Sequence, residues 1–516
     1  MDHLQITIDR KRPEWAAWAA AMCCGVITHG FGLVTILHNN DDIGQQPFGY
    51  GTGITSGRWL LQILGDFVQD NGFGYNLPLV NGLLFLFLIA VTAAVAVSAL
   101  QIQKRGSAAL MGMLFAVFPA VTGTMFFRYT VVYYGVSLLL AVLAVWLLER
   151  NRRGLLPAAV CMALSMGIYQ AYIPLTIAML VLLMIRRILK ENCNFRAAVL
   201  QGVYYCAALL AGLVLYYLAL KGFLLLYGTQ LSDYNGVNAM GKLSLATLPG
   251  LLKEALYFPV MLPLEDYCGL AGMRWVKIAY AGIYGISAVV AAYILLRRVK
   301  KPEMILLTGL LAVLLLVAVN FIVIMCPDGY IYTLMVYPFV LLGCVPLVLW
   351  ECVGEEDGIR NWAGGAAGKL IVALLCLLIF CYSYDANVNY TASYYANRQT
   401  ENYLNSIVVQ VRMTDGFDTE KEWAFLGNIQ DPLLRTPWQY EVSNGGNEAA
   451  YVLINRETRP VWIWHYYGYL IPFASEEKTE QLWSSDEVRQ MPCWPNAGSI
   501  RSIGDTMVVK FQEYGA

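Results

Sequence analysis

The stretch WAAWAAAMCCGVITHGFGLVTILHNNDD, residues 15–42, joins an apolar segment to two adjacent carboxylates, Asp41 and Asp42. A helix needs about 20 apolar residues to cross a bilayer, and residues 15–37 reach that length. A basic cluster at 10–12 precedes them, as in a signal peptide, but the run exceeds a signal-peptide apolar region and no small-residue cleavage site follows it. The stretch predicts an uncleaved first membrane span that ends at an acidic loop.

The composition extends this prediction to the whole chain. Of the 516 residues, 58% are hydrophobic and 14% are charged, whereas a soluble globular protein carries about 25% charged residues. We therefore predict an all-α polytopic membrane protein. The net charge of −1 and the lack of a basic tract give no indication of nucleic-acid binding. The four His and twelve Cys show no CxxC or HxxxH spacing typical of metal ligands.

About eleven apolar runs are long enough to be spans. They cover 14–37, 76–100, 108–127, 129–148, 155–170, 172–187, 197–220, 275–296, 304–325, 331–350 and 369–386. Basic residues cluster on one side of these runs, which predicts a cytoplasmic N-terminus, and the odd number of spans leaves the C-terminus outside. The first outer loop is then 38–75, and a large outer loop covers 221–274.

The chain is expected to form two domains. Residues 1–386 hold the spans, and two stretches at 58–70 and 251–264 have the pattern of amphipathic helices on the outer membrane surface. Residues 387–516 carry 16 of the chain's 36 acids in a quarter of its length and hold no membrane run. Residues 397–412 have the pattern of a helix, and runs such as 423–426 and 506–511 have the pattern of strands, so this part predicts a small extracytoplasmic α+β domain. This domain is expected to take part in binding; the alternative is a passive structural cap.

The acidic loop is the first candidate site. Adjacent carboxylates raise each other's pKa in a half-dry site, and a positioned carboxylate is a good proton acceptor. Asp42 is the preferred base, with Asp41 as its partner or as a ligand to sugar hydroxyls, and the two roles can be exchanged. Arg58 follows after a Gly-rich loop, and an arginine fork suits a phosphate. The alternative is that the acids only cap the next helix.

Other candidates lie at the same predicted face. Arg128 is a cation on the outer side, where it opposes the positive-inside bias and suits a donor phosphate; the alternative is a snorkelling arginine. Tyr169 and Gln170 suit sugar faces and hydroxyls, or else belong to an aromatic belt. Asp233, in the large outer loop, is a further substrate-binding candidate. His29, inside the first span, is expected to be a hydrogen-bonded core histidine.

Taken together, the ordered motifs resemble the bacterial Gtr type II glucosyltransferases, which decorate O-antigen. The pieces that carry the resemblance are 40–42, 56–59, 167–171, 387–403 and 499–510. The resemblance implies a GT-C-like fold in the bacterial cytoplasmic (inner) membrane, with the acidic first outer loop as active site. It also implies a polyprenyl-phosphate sugar as donor, a cell-surface glycan as acceptor, and transfer with inversion.

The chemistry of the candidates agrees with this resemblance. A carboxylate can take the proton of an acceptor hydroxyl, and Arg58 with Arg128 can stabilise the departing lipid phosphate. No cofactor is expected, although an aspartate pair is able to hold a divalent metal. Two other functions stay open. One is a transporter or flippase of a lipid-linked sugar, disfavoured by the scarcity of charges within the spans. The other is a non-catalytic subunit of an envelope complex.

Overall fold

The computed structural model describes residues 12–38, 53–71, 77–191, 193–232, 246–327, 329–353, 366–429 and 470–515. The acids Asp41, Asp42 and Asp233 lie outside the described residues. The chain packs as two compact units. The helical unit includes the described residues up to Val34 and those from 53 to Asn387, and the sheet unit includes those from 35 to 38 and from Val388 onward.

Helices dominate the first unit. They are α1 (Pro13–Val34), α2 (Trp59–Asp70), α3 (Pro78–Ala99), α4 (Arg105–Val117), α5 (Pro119–Met125), α6 (Val131–Arg150), α7 (Leu155–Ile168), α8 (Ile173–Glu191), α9 (Phe195–Leu226), α10 (Leu248–Met261), α11 (Arg274–Ile294), α12 (Pro302–Val319), α13 (Ile322–Met325) and α14 (Val340–Cys352). Short 3₁₀ turns precede α8 at Gln170–Tyr172 and α14 at Thr333–Phe339, and a π turn follows α11 at Leu295–Val299. The final long helix, α15 (Ala366–Arg412), continues into the sheet unit.

Each of the eleven predicted apolar runs is helical in the structure. Within the described residues, nine helices are long and apolar enough to cross a membrane, or ten if α4 and α5 count as one span. Those two are bent by 41° where Pro119 begins α5, because a proline removes a helical hydrogen bond and disfavours the α conformation before it. The remaining run forms α7, which has 14 residues. The protein is a multi-pass membrane protein.

Small residues let α1 approach α4 closely. A Cβ on Gly112 would lie 2.2 Å from the carbonyl oxygen of Ala17, and both Ala17 and Ala21 are buried. Small residues are common where membrane helices meet because they let the backbones pack together. His29 in α1 is also buried, with its Nε2 2.9 Å from the carbonyl oxygen of Ala116. This is the hydrogen-bonded core histidine that the sequence predicts.

A partly buried ion pair joins three helices near the C-terminal end of α6. Arg187 NH2 on α8 donates to both carboxylate oxygens of Glu149 on α6, at 2.9 and 3.2 Å. Tyr205 on α9 donates its hydroxyl to the same carboxylate. The Glu149 side chain is only 5% exposed. A buried carboxylate is stable only when it is paired, so this cluster fastens α6, α8 and α9 together.

The sheet unit is built on the last turns of α15. The helix is one element of 47 residues, so the separate helix expected after residue 397 is in fact its end. Three strands follow: β1 (Glu422–Leu426), β2 (Ile500–Ile503) and β3 (Thr506–Lys510). Their order is β1-β3-β2, with β1 parallel and β2 antiparallel to β3. Two short helices, α16 (Glu476–Ser484) and α17 (Asp486–Arg489), precede β2.

The core of this unit lies between α15 and the sheet. Leu404, Ile407 and Val411 present one side of α15, at the spacing that lines a single helix face. They pack with Trp423 of β1 and Val509 of β3. The described residues of this part of the chain therefore form a small α+β fold, as the sequence predicts.

Candidate functional site

A tight turn holds the backbone of Arg58. The Arg58 amide donates to the Gly53 carbonyl at 2.7 Å, and the Gly57 amide donates to the Ile54 carbonyl at 3.0 Å. Gly57 has φ +77°, in the left-handed region that only glycine enters at little cost. Ser56 Oγ closes the turn by donating to the Gly53 carbonyl at 3.0 Å. The turn, residues 53–57, delivers Arg58 directly to the start of α2.

Two side chains from other helices grip this turn. Gln170, in the 3₁₀ turn before α8, donates Nε2 to the Ser56 carbonyl at 3.0 Å and to the Tyr216 hydroxyl at 3.1 Å. Tyr216, on α9, donates its hydroxyl to the Gly57 carbonyl at 3.0 Å. Gln170 is 5% exposed and Tyr216 is 8% exposed. We call this pair the Gln170–Tyr216 clamp; it holds the two carbonyl groups that come just before Arg58.

The guanidinium of Arg58 lies on an aromatic surface. Its central carbon is 4.9 Å from the ring centroid of Tyr169, close enough for a cation–π interaction. One nitrogen, NH1, donates to the Tyr134 hydroxyl at 3.3 Å. The rings of Tyr134 and Tyr169 are stacked, with centroids 4.3 Å apart. Tyr169 therefore contacts the face of the guanidinium while Tyr134 accepts from its NH1, and the two contacts together orient its plane.

The aromatic surface continues into the core of the helical unit. Tyr172 makes edge contacts with Tyr134 and Tyr169, at centroid distances of 6.2 and 5.0 Å, and Tyr337 continues the series at 6.3 Å. Edge-to-face pairs of this kind add to the stability of a core beyond simple burial. The rings behind Arg58 are therefore a rigid part of the fold.

Trp59 fixes the other side of the turn. Its ring stacks on Phe223 of α9 at 5.2 Å. On α7, a Cβ at Gly167 would lie 2.6 Å from the Trp59 ring, so only glycine permits this approach. These contacts seat the start of α2 against α7 and α9. The motif Ser56–Trp59 thus packs as one block.

Arg128 is buried in the helical unit, in contact with the end of α1. It is 3% exposed, and its NH2 donates to the Gly32 carbonyl at 2.7 Å. Gly32 lies in the last turn of α1, where carbonyl groups lack helical partners and a cation is favourable. The Arg128 carbonyl in turn accepts from Asn81 Nδ2 at 3.2 Å. Arg128 therefore braces the end of α1 from which the acidic loop leaves.

In the sheet unit, Asn397 holds the backbone just before the acidic loop. Its Oδ1 accepts from the His38 amide at 3.0 Å, and its Nδ2 donates to the His38 carbonyl at 3.3 Å. Nδ2 also donates to the Ser393 carbonyl at 2.9 Å. An asparagine that bonds both backbone groups of one residue fixes the chain direction at that residue. The chain therefore enters the acidic loop from a fixed point.

The predicted site residues fall into three groups. Arg58, Tyr169 and Gln170 come together around one turn, as described above. Arg128 is buried at the end of α1, where it bonds the Gly32 carbonyl. The acids Asp41, Asp42 and Asp233 lie outside the described residues, so their roles stay predictions. Within the part of the chain that the structure describes, no group of three or more His, Cys, Asp or Glu is arranged to hold a metal ion.

The sequence analysis missed Tyr134 and Tyr216. Each is a tyrosine inside a long apolar helix, next to a second tyrosine at 133 or 217. Such a residue is indistinguishable from a membrane-interface aromatic until its neighbours are known. The tandem tyrosines were a weak signal, since a hydroxyl within a span needs a partner.

The fold and the site together define a multi-pass membrane protein that presents a fixed arginine on an aromatic surface. A model of the family described as Glucosyl transferase GtrII matches residues 30–343, more than half of the chain, and the chain belongs to this family. The match includes Arg58, Arg128, Tyr169 and Gln170. No curated protein and no solved structure matches the chain. Membership of this family supports a glucosyl transferase activity.

Proposed function

We propose that this protein is an inverting glycosyltransferase that moves a hexose, glucose by the family, from a polyprenyl-phosphate donor to a cell-surface glycan such as O-antigen. The observation that carries the proposal is Arg58, which the turn at 53–57 holds from behind while Tyr169 and Tyr134 orient its guanidinium. A cation fixed in this way suits a planar, doubly hydrogen-bonded anion such as a phosphate.

The reaction assigns a role to each end of the bond that breaks. The acceptor oxygen forms a bond to the first carbon of the sugar, and the bond from that carbon to the phosphate oxygen breaks. The electron pair leaves with the lipid phosphate, whose charge rises, and Arg58 stabilises that charge. The acceptor proton passes to a carboxylate, for which we propose Asp42, with Asp41 as partner or alternative base.

The other predicted residues keep supporting roles in this proposal. Arg128 is the second donor-phosphate candidate, and its bond to Gly32 also allows it to act by bracing α1. Tyr169, Gln170 and Asp233 are the proposed substrate-binding residues. No cofactor is required, because arginines supply the positive charge; a divalent metal at the aspartate pair would be an addition to the scheme.

The setting of the reaction is also a proposal. Lipid-linked sugars are held in a bilayer, and the membrane helices place this protein in one. The helix α2 forms at Trp59–Asp70, within the stretch predicted to lie on the outer membrane surface, and an amphipathic helix there gives a lipid tail a sideways path. We propose the bacterial cytoplasmic membrane, with the N-terminus in the cytoplasm and both the acidic loop and residues 387–516 outside.

The test is a transfer assay with purified protein, labelled polyprenyl-phosphate glucose and a glycan extract from the host cell. We expect transfer by the wild type. Arg58→Ala should lower kcat about 100- to 1,000-fold, the cost of removing one preorganised transition-state donor, and Asp42→Asn should abolish transfer. The matched control is Arg153→Ala, which removes an exposed arginine beyond the far end of α6 and should leave the rate unchanged.

The same assay separates the other candidate functions. A transporter would move labelled lipid across a vesicle without forming a glycosidic bond, and a non-catalytic subunit would leave surface glycan unchanged in Asp41→Asn and Asp42→Asn cells. Full transfer by a folded Arg58→Ala protein would remove Arg58 from the mechanism. No transfer by the wild type from several lipid-linked sugars, with an authentic acceptor, would overturn the proposal.

A further inference from the structure

We propose that Gln170 is a positioning residue that sets Arg58 through the 53–57 turn, and that it does not select the sugar. The inference rests on the proposed function of Arg58 and replaces the substrate-binding role proposed for Gln170. Tyr216 is its partner in this task.

The hydrogen-bond inventory of the clamp supports the inference. A glutamine amide has two N–H groups. One of them donates to the Ser56 carbonyl and the other to the Tyr216 hydroxyl. The single proton of that hydroxyl goes to the Gly57 carbonyl. Every donor of the pair is therefore used on the turn or within the pair, and none is left for a sugar hydroxyl.

The clamp also fits the turn tightly. A Cβ on Gly57 would lie 2.7 Å from Gln170 Nε2 and 2.8 Å from the Tyr216 hydroxyl oxygen. The two polar groups thus press against the backbone one residue before Arg58. A turn bounded this closely has little room to shift, so the Arg58 backbone is held at one position.

Two adjacent residues of one loop hold the backbone before Arg58 and the guanidinium of Arg58. Gln170 secures the backbone before it, while the neighbouring Tyr169 lies 4.9 Å below its guanidinium. Tyr169 and Gln170 are consecutive residues between α7 and α8. The fold therefore fixes the position of the Arg58 guanidinium relative to the Arg58 backbone. Misplacing a reacting group by about 1 Å can cost about 100-fold in rate, which is why this arrangement matters for transfer.

The experiment is a double-mutant cycle in the transfer assay. We expect Gln170→Ala and Tyr216→Phe each to lower kcat/KM for the donor about 10- to 100-fold. The double variant should be no worse than the more impaired single variant, because both changes break one unit. In an Arg58→Ala background, Gln170→Ala should change kcat/KM less than about threefold. The control Tyr204→Phe removes a hydroxyl on the same helix as Tyr216 that bonds the Arg152 carbonyl, outside the clamp, and should leave kcat/KM unchanged.

A sugar-binding Gln170 would behave differently in the same cycle. The loss of kcat/KM caused by Gln170→Ala would then multiply with the loss caused by Tyr216→Phe. It would persist in the Arg58→Ala background, and it would differ between a glucose donor and a 6-deoxyglucose donor. Any of these results from folded protein would overturn the inference. Tyr216→Phe removes only one oxygen atom and disturbs packing little, so it can still test the inference if Gln170→Ala fails to fold.

Amide hydrogen exchange makes the test independent of the chemistry. The clamp predicts faster exchange in peptides covering residues 53–62 for both clamp variants, and unchanged exchange there for Tyr204→Phe. If exchange is faster in the clamp variants but the wild type shows no transfer, the clamp is supported and the proposed function is rejected. Unchanged exchange in the clamp variants would reject the clamp itself.

Discussion

Arg58 and Arg187 show two ways in which this helical unit holds an arginine. Arg58 lies over the Tyr169 ring and donates to the Tyr134 hydroxyl near the start of α6. Arg187 donates twice to the Glu149 carboxylate, 15 residues further along that helix, about 22 Å away at 1.5 Å per residue. Arg58 contacts two tyrosines, and Arg187 is paired with an acid.

The two kinds of partner suit two different roles for an arginine, one in function and one in stability. A carboxylate partner fixes an arginine and cancels its charge, which suits a fastening between helices. A ring and a hydroxyl fix the plane of the guanidinium and are not themselves acids, so they suit an arginine proposed to bind a phosphate. We therefore expect changes at Arg187 to reduce stability and changes at Arg58 to reduce transfer.

The largest effect is expected from Arg187→Ala, which leaves the Glu149 carboxylate buried. Removing one partner of a buried ion pair costs about 3–5 kcal/mol, so the variant should unfold at a clearly lower temperature in detergent. The double variant Arg187→Met, Glu149→Leu should recover much of this loss because no charge stays buried. Correctly folded Arg187→Ala that loses transfer but keeps its melting temperature would contradict the assignment.

A smaller effect is expected from Gly57→Ala, which tests the Arg58 side of the comparison. An alanine at positive φ is strained by about 1–2 kcal/mol, and here its Cβ would also collide with the clamp. Gly228 is the matched control, since it has φ +60° and a Cβ added there would meet nothing within 4 Å. Gly228→Ala should show the strain alone, whereas Gly57→Ala should also lose transfer. Equal transfer by the two variants would show that the fit around Gly57 is unimportant.

The smallest effect is expected from an exposed ion pair in the sheet unit. Lys478 donates to Asp505 at 2.9 Å, and this bond lowers the pKa of the Asp505 carboxyl. A lowered folded-state pKa gives stability that is present above the ordinary carboxyl pKa and is lost as the pH falls through the folded value. The protection factors of the β3 amides, which allow for the slower intrinsic exchange in acid, should therefore fall slightly below about pH 4.

The control for this pH effect is Lys478→Met, which removes the donor. The protection factors of its β3 amides should depend less on pH and on salt, since exposed pairs are screened. An identical acid response in the variant and the wild type would assign the response to other carboxyls.

Much of the fold was predictable because bilayer length and hydropathy determine where helices form. Every predicted apolar run is helical, and the strands at 422–426 and 506–510 also follow their pattern. The sequence analysis misjudged continuity at one place, where it separated 397–412 from a helix that has neither Gly nor Pro between 369 and 412 to stop it. The predicted span 108–127 is bent at Pro119 and is one span if α4 and α5 are counted together.

The candidate site was predictable only in part. Arg58 stood out because it follows an acidic and Gly-rich loop. Tyr134 and Tyr216 did not, since their meaning depends on which hydroxyl faces which carbonyl, and helix periodicity does not encode that. The role of Gln170 changed for the same reason: its amide suits a sugar or a peptide carbonyl equally, and only its burial against Ser56 and Tyr216 distinguishes them.

The most direct test of the central claim is the binding of a polyprenyl phosphate compared with the polyprenyl alcohol of equal chain length. Both probes share the apolar contacts, so the ratio of their dissociation constants isolates the phosphate. We expect the wild type to bind the phosphate about 10- to 100-fold more tightly, the range of one to two charge-assisted hydrogen bonds. Arg58→Ala should erase most of this ratio, while Arg153→Ala should keep it. A folded Arg58→Ala protein that keeps the full ratio would contradict the account.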